Sequence, residues 1–328
     1  MAQSASPSHA LITGGAGFIG SHLAERLLRE GEQVTVIDDF STGSQENIRH
    51  LLGQPGFRVI ASKVSTCVEL DRLVAEATSV YHLAAAVGVE LVVQSPIRTI
   101  RTNLDETEAI LEAVSRVAVP ILLASTSEVY GKSQKSEFAE EDDLLIGPPH
   151  LGRWSYACSK LMDEFLAMAY SKEKRLPVII CRLFNTVGPR QTGRYGMVLP
   201  RFIKAALRGE PLQVYGDGHQ TRCFCYVHDT VEALVRLQRN VAARGEVFNV
   251  GSDAEITILD LAEKVCRQLN SKAPIEFVPY DRAYQPGFED MLRRKPRIEK
   301  LARTIQFRPA TPLEKIIELT AEQMQSNG

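Results

Sequence analysis

The stretch Ala10-Leu11-Ile12-Thr13-Gly14-Gly15-Ala16-Gly17-Phe18-Ile19-Gly20 decides the fold of this chain. Residues 10–12 form a short apolar run typical of a buried strand, and residues 21–28 continue as an amphipathic helix. The glycines therefore occupy a turn between a strand and a helix, where the backbone can approach a ligand closely and the helix N-terminus offers free N–H groups. This order and spacing predict a site for the pyrophosphate of a dinucleotide.

A second apolar run, residues 33–37, ends in Asp38 and Asp39. An acid at the tip of this strand can accept hydrogen bonds from a ribose 2′-OH, and it would repel a 2′-phosphate. We therefore expect the cofactor NAD rather than NADP.

The rest of the chain alternates strands and helices up to about residue 180. Such alternation predicts an α/β fold, a Rossmann doubly wound parallel sheet whose ligands bind beyond the carboxyl ends of the strands. After residue 190 the pattern is mixed and predicts a smaller mixed α/β lobe. The further strands are predicted at 59–61, 80–83, 120–125, 177–183, 212–215, 223–227 and 275–278, and the further helices around 97–118, 156–174, 197–208 and 257–270.

Tyr156 and Lys160 are spaced by four residues in a predicted helix, so they share one helix face, one turn apart. An ammonium beside a phenol favours the phenolate, and we expect it to lower the pKa of Tyr156 from about 10. A tyrosine tuned in this way can take a proton from a sugar hydroxyl while a nicotinamide ring takes the hydride.

Composition argues against several other classes of function. The chain has 328 residues and a net charge of −2, which gives no electrostatic basis for binding nucleic acid or an anionic membrane. No apolar stretch approaches the 18 or so residues of a membrane-spanning helix. The six cysteines are scattered without a CxxC pair, so we interpret them as reduced residues of a cytoplasmic protein, with no metal site.

Seven sequence motifs together resemble those of the extended short-chain dehydrogenase/reductase family, which includes the nucleotide-sugar epimerases, dehydratases and decarboxylases. The resemblance extends from about residue 8 to about residue 318. The motifs are Gly14-x-x-Gly17-x-x-Gly20, His82-Leu83-Ala84-Ala85, Ser125-Thr126-Ser127-Glu128-Val129-Tyr130-Gly131, Tyr156-x-x-x-Lys160, Arg182-x-Phe184-Asn185-x-x-Gly188-Pro189-Arg190, Tyr215-Gly216-Asp217-Gly218-x-Gln220-Thr221-Arg222 and Asn249-Val250-Gly251.

The resemblance implies an NAD-binding Rossmann domain at 8–185 and a nucleotide-sugar-binding lobe at 186–328, interleaved so that the boundary is nominal. It implies that Tyr156 is the base, that Lys160 lowers its pKa and holds the cofactor ribose, and that Thr126 orients the sugar hydroxyl. Asn103 resembles the helix asparagine that supports the lysine. The implied cofactor residues are Gly14, Gly17, Phe18, Ile19, Gly20, Asp38, Asp39, Leu83, Ala84, Ala85, Asn103, Tyr156 and Lys160. The implied substrate is a UDP-linked sugar, and the implied substrate residues are Asn185, Arg190, Val198, Gln213, Tyr215, Arg222 and Arg294.

Glu128 separates two reactions that share a 4-keto intermediate. A carboxylate near C5 can move a proton to or from the carbon next to the ketone, and that role requires a raised pKa. With Arg294-Lys295-Pro296, Glu128 favours a UDP-glucuronate decarboxylase that forms UDP-xylose; the alternative is a UDP-glucose or UDP-glucuronate 4-epimerase. A protein that only binds NAD, as a redox sensor or scaffold, is disfavoured because Thr126, Tyr156 and Lys160 are all present.

Two departures from the decarboxylase pattern are visible. Val92 occupies the position of a tyrosine that helps to hold the carboxylated sugar, and Ala86-Val87-Gly88 is similar to the epimerases. Lys63-Val64 replaces an acid and an aliphatic residue that contact adenine in the family.

The resemblance also implies a homodimer in which the helices at 97–118 and 156–174 form a four-helix interface. Their apolar residues are the candidates for that interface. They are Ile110, Leu111, Val114, Leu161, Phe165 and Met168.

Overall fold

The computed structural model describes residues 8–87, 95–191, 197–283, 291 and 293–326. Its centre is a seven-stranded sheet in which every neighbouring pair is parallel, in the order β11-β6-β5-β4-β1-β2-β3. The predicted Rossmann sheet is therefore confirmed. The strands are β1 His9–Thr13, β2 Gln33–Asp38, β3 Phe57–Ala61, β4 Ser79–His82, β5 Ile121–Thr126, β6 Val178–Leu183, β7 Thr186–Val187, β8 Leu212–Tyr215, β9 Thr221–Cys223, β10 Cys225–Tyr226, β11 Glu246–Val250, β12 Glu255–Thr257 and β13 Ile275–Val278.

Helices cover both faces of the sheet, because strands buried on two sides need apolar cover on each. One core layer joins α1 and α7 to the sheet, and the opposite layer joins α3, α4 and α5 to it. None of the described helices is long and apolar enough to cross a membrane. The described helices are α1 Phe18–Arg29, α2 Gln45–Ile48, α3 Leu70–Glu76, α4 Pro96–Val117, α5 Trp154–Lys174, α6 Val198–Arg208, α7 Val227–Arg239, α8 Ile258–Gln268, α9 Tyr280–Ala283, α10 Glu299–Ile305 and α11 Leu313–Ser326.

The chain after residue 186 is shared between the second lobe and the main sheet. Three two-stranded sheets, β7 with β10, β9 with β12 and β8 with β13, are the mixed part that the sequence predicted. Strand β11, however, pairs with β6 in the main sheet, and α7 packs on α1. Neither β11 nor α7 was predicted. A five-residue strand with two polar residues, such as β11, gives only a weak periodic signal.

The apolar residues predicted for a dimer interface divide between two surfaces. Ile110, Leu111 and Val114 are fully buried in the core layer against the sheet, so their assignment to an interface is wrong. They occupy the inner face of an amphipathic helix, which the sequence alone could not distinguish from an outer apolar face. Phe165 is 64% exposed on α5, and Ile97 is 72% exposed on α4.

A buried polar network joins the strands to the helix that carries Tyr156. Arg182 of β6 forms an ion pair with Glu164 of α5 at 2.8 Å, and both side chains are about 95% buried. The same guanidinium donates to the Tyr130 hydroxyl at 2.9 Å, and that hydroxyl donates to Asn249 of β11 at 2.7 Å. The network therefore fixes β6, β11, α5 and the turn after β5 relative to one another.

We expect Arg182→Met to lower the free energy of unfolding by about 3–5 kcal/mol, because it leaves the buried Glu164 carboxylate without its partner. Urea denaturation at neutral pH measures this loss. Arg308→Met is the matched control, since Arg308 is 45% exposed in a surface pair with Asp253 and should change stability far less. Equal losses in the two variants would show that the network has no special structural role.

Candidate active site

One large cavity, of about 490 Å³, lies between the two lobes at the carboxyl ends of the central strands. It extends from the glycine loop after β1 to Arg294, which precedes α10. Every residue that the sequence analysis assigned to cofactor, catalysis or substrate lines this cavity, with the single exception of Asn103. Within the described part of the chain, no cluster of three metal-ligating side chains is present.

The glycine loop has the shape of a cradle. Gly14 has a φ of +72°, and a Cβ there would lie 2.7 Å from the backbone nitrogen of Ala84, so the loop is pressed against the end of β4. Gly17 is the N-cap of α1, and a Cβ there would meet only the Gly14 carbonyl. Phe18, Ile19 and Gly20, the first residues of α1, line the cavity, so the helix N-terminus is placed where a pyrophosphate could bind.

The two acids after β2 have different surroundings. The buried Asp38 accepts hydrogen bonds from the backbone N–H of Ala16 and of Phe40, each at 2.8 Å, so it braces the glycine loop. Asp39 is exposed and accepts only from the N–H of Ser41 within the described residues. Both acids line the cavity, and a carboxylate that accepts two hydrogen bonds keeps further lone pairs, so either acid can accept from a ribose hydroxyl. The cradle, these acids and the apolar Leu83 and Ala84 beside them fit NAD.

Lys63 lines the same cavity beyond β3, where the family pattern has an acid. Its side chain adds a positive charge to this end of the site. Val92, the other departure noted in the sequence, lies outside the described residues.

Tyr156, Thr126 and Lys160 all line the cavity. The Tyr156 phenol is hydrogen-bonded to Thr126, which is the last residue of β5. Burial and the negative charges of Glu128 and Asp163 raise the pKa of Tyr156 above its ordinary value. Lys160 was predicted to lower the pKa of Tyr156. That prediction is wrong, because burial of the phenol and the two nearby carboxylates together raise the pKa.

Asn103 supports the lysine helix from behind the cavity. Its carbonyl oxygen accepts from the N–H of Ala86 at 2.8 Å, and its amide donates to the Ser159 hydroxyl at 2.9 Å. Ser159 directly precedes Lys160, and Asn103 itself is 1% exposed. Asn103 thus positions the residues around the cofactor site without lining it.

Glu128 lies between two arginines. Arg153 donates to it at 2.9 Å, and Arg294 pairs with its other oxygen at 3.3 Å. Burial alone would raise the pKa of the Glu128 carboxyl, but the two guanidinium charges outweigh it and hold the pKa below its ordinary value. The raised pKa predicted for Glu128 is therefore wrong, and the group is ionised at neutral pH.

The second lobe supplies the remaining side chains of the cavity. Tyr215 lies under the guanidinium of Arg201, 4.6 Å from the ring centre, and Arg222 donates to the Thr221 carbonyl at 2.8 Å. The Asn185 amide donates to the Cys223 carbonyl at 2.9 Å. Gln213 and Val198 line the same end.

Arg190 lies on the other side of the cavity. It donates to Glu25 of α1 at 2.6 Å, so it is held beside the glycine-loop helix and not among the arginines of the second lobe.

Two residues of the site, Arg153 and Asp163, were not predicted from the sequence. Arg153 is three residues before Tyr156, and Asp163 is seven residues after it, so the spacing places Asp163 on the tyrosine face of the helix. For Asp163, this helical spacing was the signal in the sequence that could have indicated a place near Tyr156. Nothing local indicated that Arg153 would reach Glu128, which comes from another element.

A parallel Rossmann sheet with a glycine cradle, an acid for ribose and a Thr/Tyr/Lys group defines an extended short-chain dehydrogenase/reductase. The chain matches the family model for GDP-mannose 4,6 dehydratase over residues 11–320 and belongs to that family. It is 42% identical to a UDP-N-acetyl-alpha-D-glucosaminuronate decarboxylase of Bacillus cytotoxicus, over 95% of this chain and 96% of that one. It is 37% identical to UDP-glucuronic acid decarboxylase 1 of Danio rerio, over 95% of this chain and 71% of that one.

Solved structures give the same classification. UDP-glucuronic acid 4-epimerase from Bacillus cereus, in complex with UDP-glucuronic acid and NAD, superposes with a TM-score of 0.87. The two chains are 30% identical, and the match covers 98% of this chain and 100% of the epimerase. The family is therefore shared by decarboxylases and epimerases, and the chain is an enzyme of this class.

Replacing Tyr156 by Phe removes the only phenol in the Thr126/Lys160 group of the described site. We expect turnover to fall by about 10²–10⁴-fold, the usual size of a lost general acid–base group, while cofactor binding persists. Steady-state rates and NAD binding by calorimetry check the two parts. Near-normal turnover would exclude Tyr156 as the proton acceptor.

Proposed function

We propose that this protein is an NAD-dependent UDP-hexuronate decarboxylase that works through a 4-keto intermediate. The observation that carries this proposal is the Arg153–Glu128–Arg294 cluster beside Tyr156. The relatives named above support the choice of UDP-sugar and of NAD.

The cluster brings two guanidinium groups to the cavity. Arg153 is 4% exposed and Arg294 is 12% exposed, so solvent screens their positive charges poorly. Guanidinium groups match the geometry of carboxylate oxygens, so this end of the cavity suits the carboxylate of a hexuronate better than a neutral hexose.

Each residue then has a defined task. Tyr156 takes the proton of the C4 hydroxyl, which Thr126 orients. NAD held by the glycine cradle would supply the hydride chemistry at C4. The C5–C6 bond of the resulting β-keto acid breaks, CO₂ leaves, and the bonding electrons move onto the 4-oxygen as an enolate. Arg153 and Arg294 stabilise the developing negative charge. Because Glu128 is ionised, we assign it to orienting the water that delivers a proton to C5.

The relatives suggest two possible hexuronate substrates. The Bacillus cytotoxicus relative is named for UDP-N-acetylglucosaminuronate, and the Danio rerio relative for UDP-glucuronate. Both nucleotide sugars belong in the first substrate assay. The two guanidinium groups of the cluster favour either of them over UDP-glucose.

A UDP-glucuronate 4-epimerase is the second candidate function. The Bacillus cereus structure favours it, because that enzyme also binds a UDP-hexuronate and matches nearly the whole chain. The same oxidation at C4 would then be followed by a turn of the ketone and return of the hydride, with no bond to C6 broken. The charge of the cluster is compatible with both reactions, so the products must distinguish them.

Turnover of each UDP-hexuronate in D₂O separates the two functions. We expect CO₂ release and one solvent deuterium at C5 of the pentose, because the proton that replaces CO₂ comes from water. Glu128→Gln should leave C4 oxidation intact and let the keto sugar and NADH build up, seen as absorbance near 340 nm. Glu173→Gln, on the exposed end of α5, is the matched control. A product that keeps its carboxylate and carries no deuterium would reject decarboxylation and favour the epimerase.

We infer a homodimer formed through the outer faces of α4 and α5. These faces expose Ile97, Met162 and Phe165, at 72%, 50% and 64%, in helices that already pack on each other. Apolar side chains grouped in this way are typical of a protein–protein interface. The cytoplasmic location stays a prediction.

Phe165→Asp should convert the dimer to a monomer at micromolar concentration, because it would bury a charge in an apolar interface. Light scattering coupled to size exclusion measures the mass. Val241→Asp is the control, since Val241 is 67% exposed on a separate turn. A monomeric wild-type protein, or an unchanged mass in Phe165→Asp, would contradict this interface.

A further inference from the structure

Asp163 is a buried carboxylate directly behind the catalytic pair. It is 0% exposed, and its Oδ2 accepts from Lys160 Nζ at 2.8 Å. Tyr156, Lys160 and Asp163 follow one another at i, i+4 and i+7, so all three lie along one face of α5. Neither the proposed reaction nor the NAD cradle uses this residue.

The surroundings of Asp163 give it little other stabilisation. The Thr107 hydroxyl faces it from α4, while its Oδ1 has no hydrogen-bond partner of full geometry among the described residues. Thr107 in turn contacts His82 of β4 at 3.2 Å. Burial keeps the pKa of His82 far below its usual range, so His82 is neutral. Lys160 is therefore the cation that balances Asp163.

The other charged groups near Asp163 and Tyr156 form ion pairs with other residues. Glu164, the next residue of α5, pairs with Arg182 of β6. On the far side of Tyr156, Glu128 is paired with Arg153 and Arg294. The charge on Asp163 thus acts mainly on Lys160 and, through the same face of the helix, on the Tyr156 phenol.

We propose that Asp163 is a positioning residue that fixes the Lys160 ammonium and offsets its positive charge at Tyr156, and so sets the pH range in which Tyr156 accepts a proton. An ammonium has three N–H donors, so the one given to Asp163 leaves two for other partners. The proposal rests on Tyr156 acting as the base, as in the proposed function. It does not depend on whether decarboxylation or epimerisation follows.

The sign of the effect follows from electrostatics. A negative charge beside a phenol disfavours the phenolate, and Asp163 accordingly contributes to the raised pKa of Tyr156. Removing that charge lowers the pKa of the phenol, so the reactive form exists at lower pH. The acid limb of the plot of kcat against pH should then move to lower pH when Asp163 is neutralised.

The experiment compares pH profiles of kcat for wild type, Asp163→Asn, Asp163→Ser and Asp163→Glu holoenzymes, on whichever UDP-hexuronate is turned over. We expect both neutral variants to shift the acid limb down by about one pH unit, the lower end of the effect of one close charge. The KM for the nucleotide sugar should change little. Asp163→Glu keeps the charge and should keep the wild-type limb, as should Asp71→Asn, which removes a charge that is 68% exposed on α3.

An unmoved acid limb in a folded neutral variant would overturn the proposal, because a purely structural role does not predict a shift. Loss of folded protein in both neutral variants, judged by circular dichroism and NAD binding, would assign Asp163 to the fold and also overturn it. Failure of the proposed function is recognised separately: no CO₂ would be released from either UDP-hexuronate, while the limb could still be measured for 4-epimerisation.

Discussion

The ion pair between Arg182 and Glu164 is the interaction on which the site depends. Arg182 belongs to β6 and Glu164 to α5, the helix that carries Tyr156 and Lys160. The same guanidinium contacts Tyr130, the last residue of the turn that begins after Thr126 and contains Glu128. A buried guanidinium with several donors can hold three elements in one geometry, which a single apolar contact does not do. The catalytic groups come from different elements, so this network decides whether they meet.

Charge balance is the second constraint on the site. Around the Tyr156 phenol lie two carboxylates, Glu128 and Asp163, each paired with cations inside the protein. Burial and both carboxylates favour the protonated phenol. A positive charge brought into the cavity would therefore favour the phenolate, and NAD would supply one in its oxidised form.

The proposed function divides the cavity into two parts. In that proposal the cradle of Gly14 and Gly17 and the Tyr156 group serve the oxidation at C4 that a decarboxylase and a 4-epimerase would share. Arg153 and Arg294 pair with Glu128 beside that group. The groups around C5 and C6 would then set the fate of the 4-keto sugar, while the sheet and the cofactor site could stay the same.

The sequence by itself determined the parallel sheet, the glycine cradle and the Tyr156/Lys160 pair, because each depends on local spacing and on apolar runs. It placed all but one of the assigned residues around a single cavity, since parallel strands bring their carboxyl ends to one edge of the sheet. Only the tertiary structure decided the protonation preferences of Glu128 and Tyr156. Those depend on burial and on charges from distant parts of the chain, such as Arg294, and neither leaves a periodic trace in the sequence.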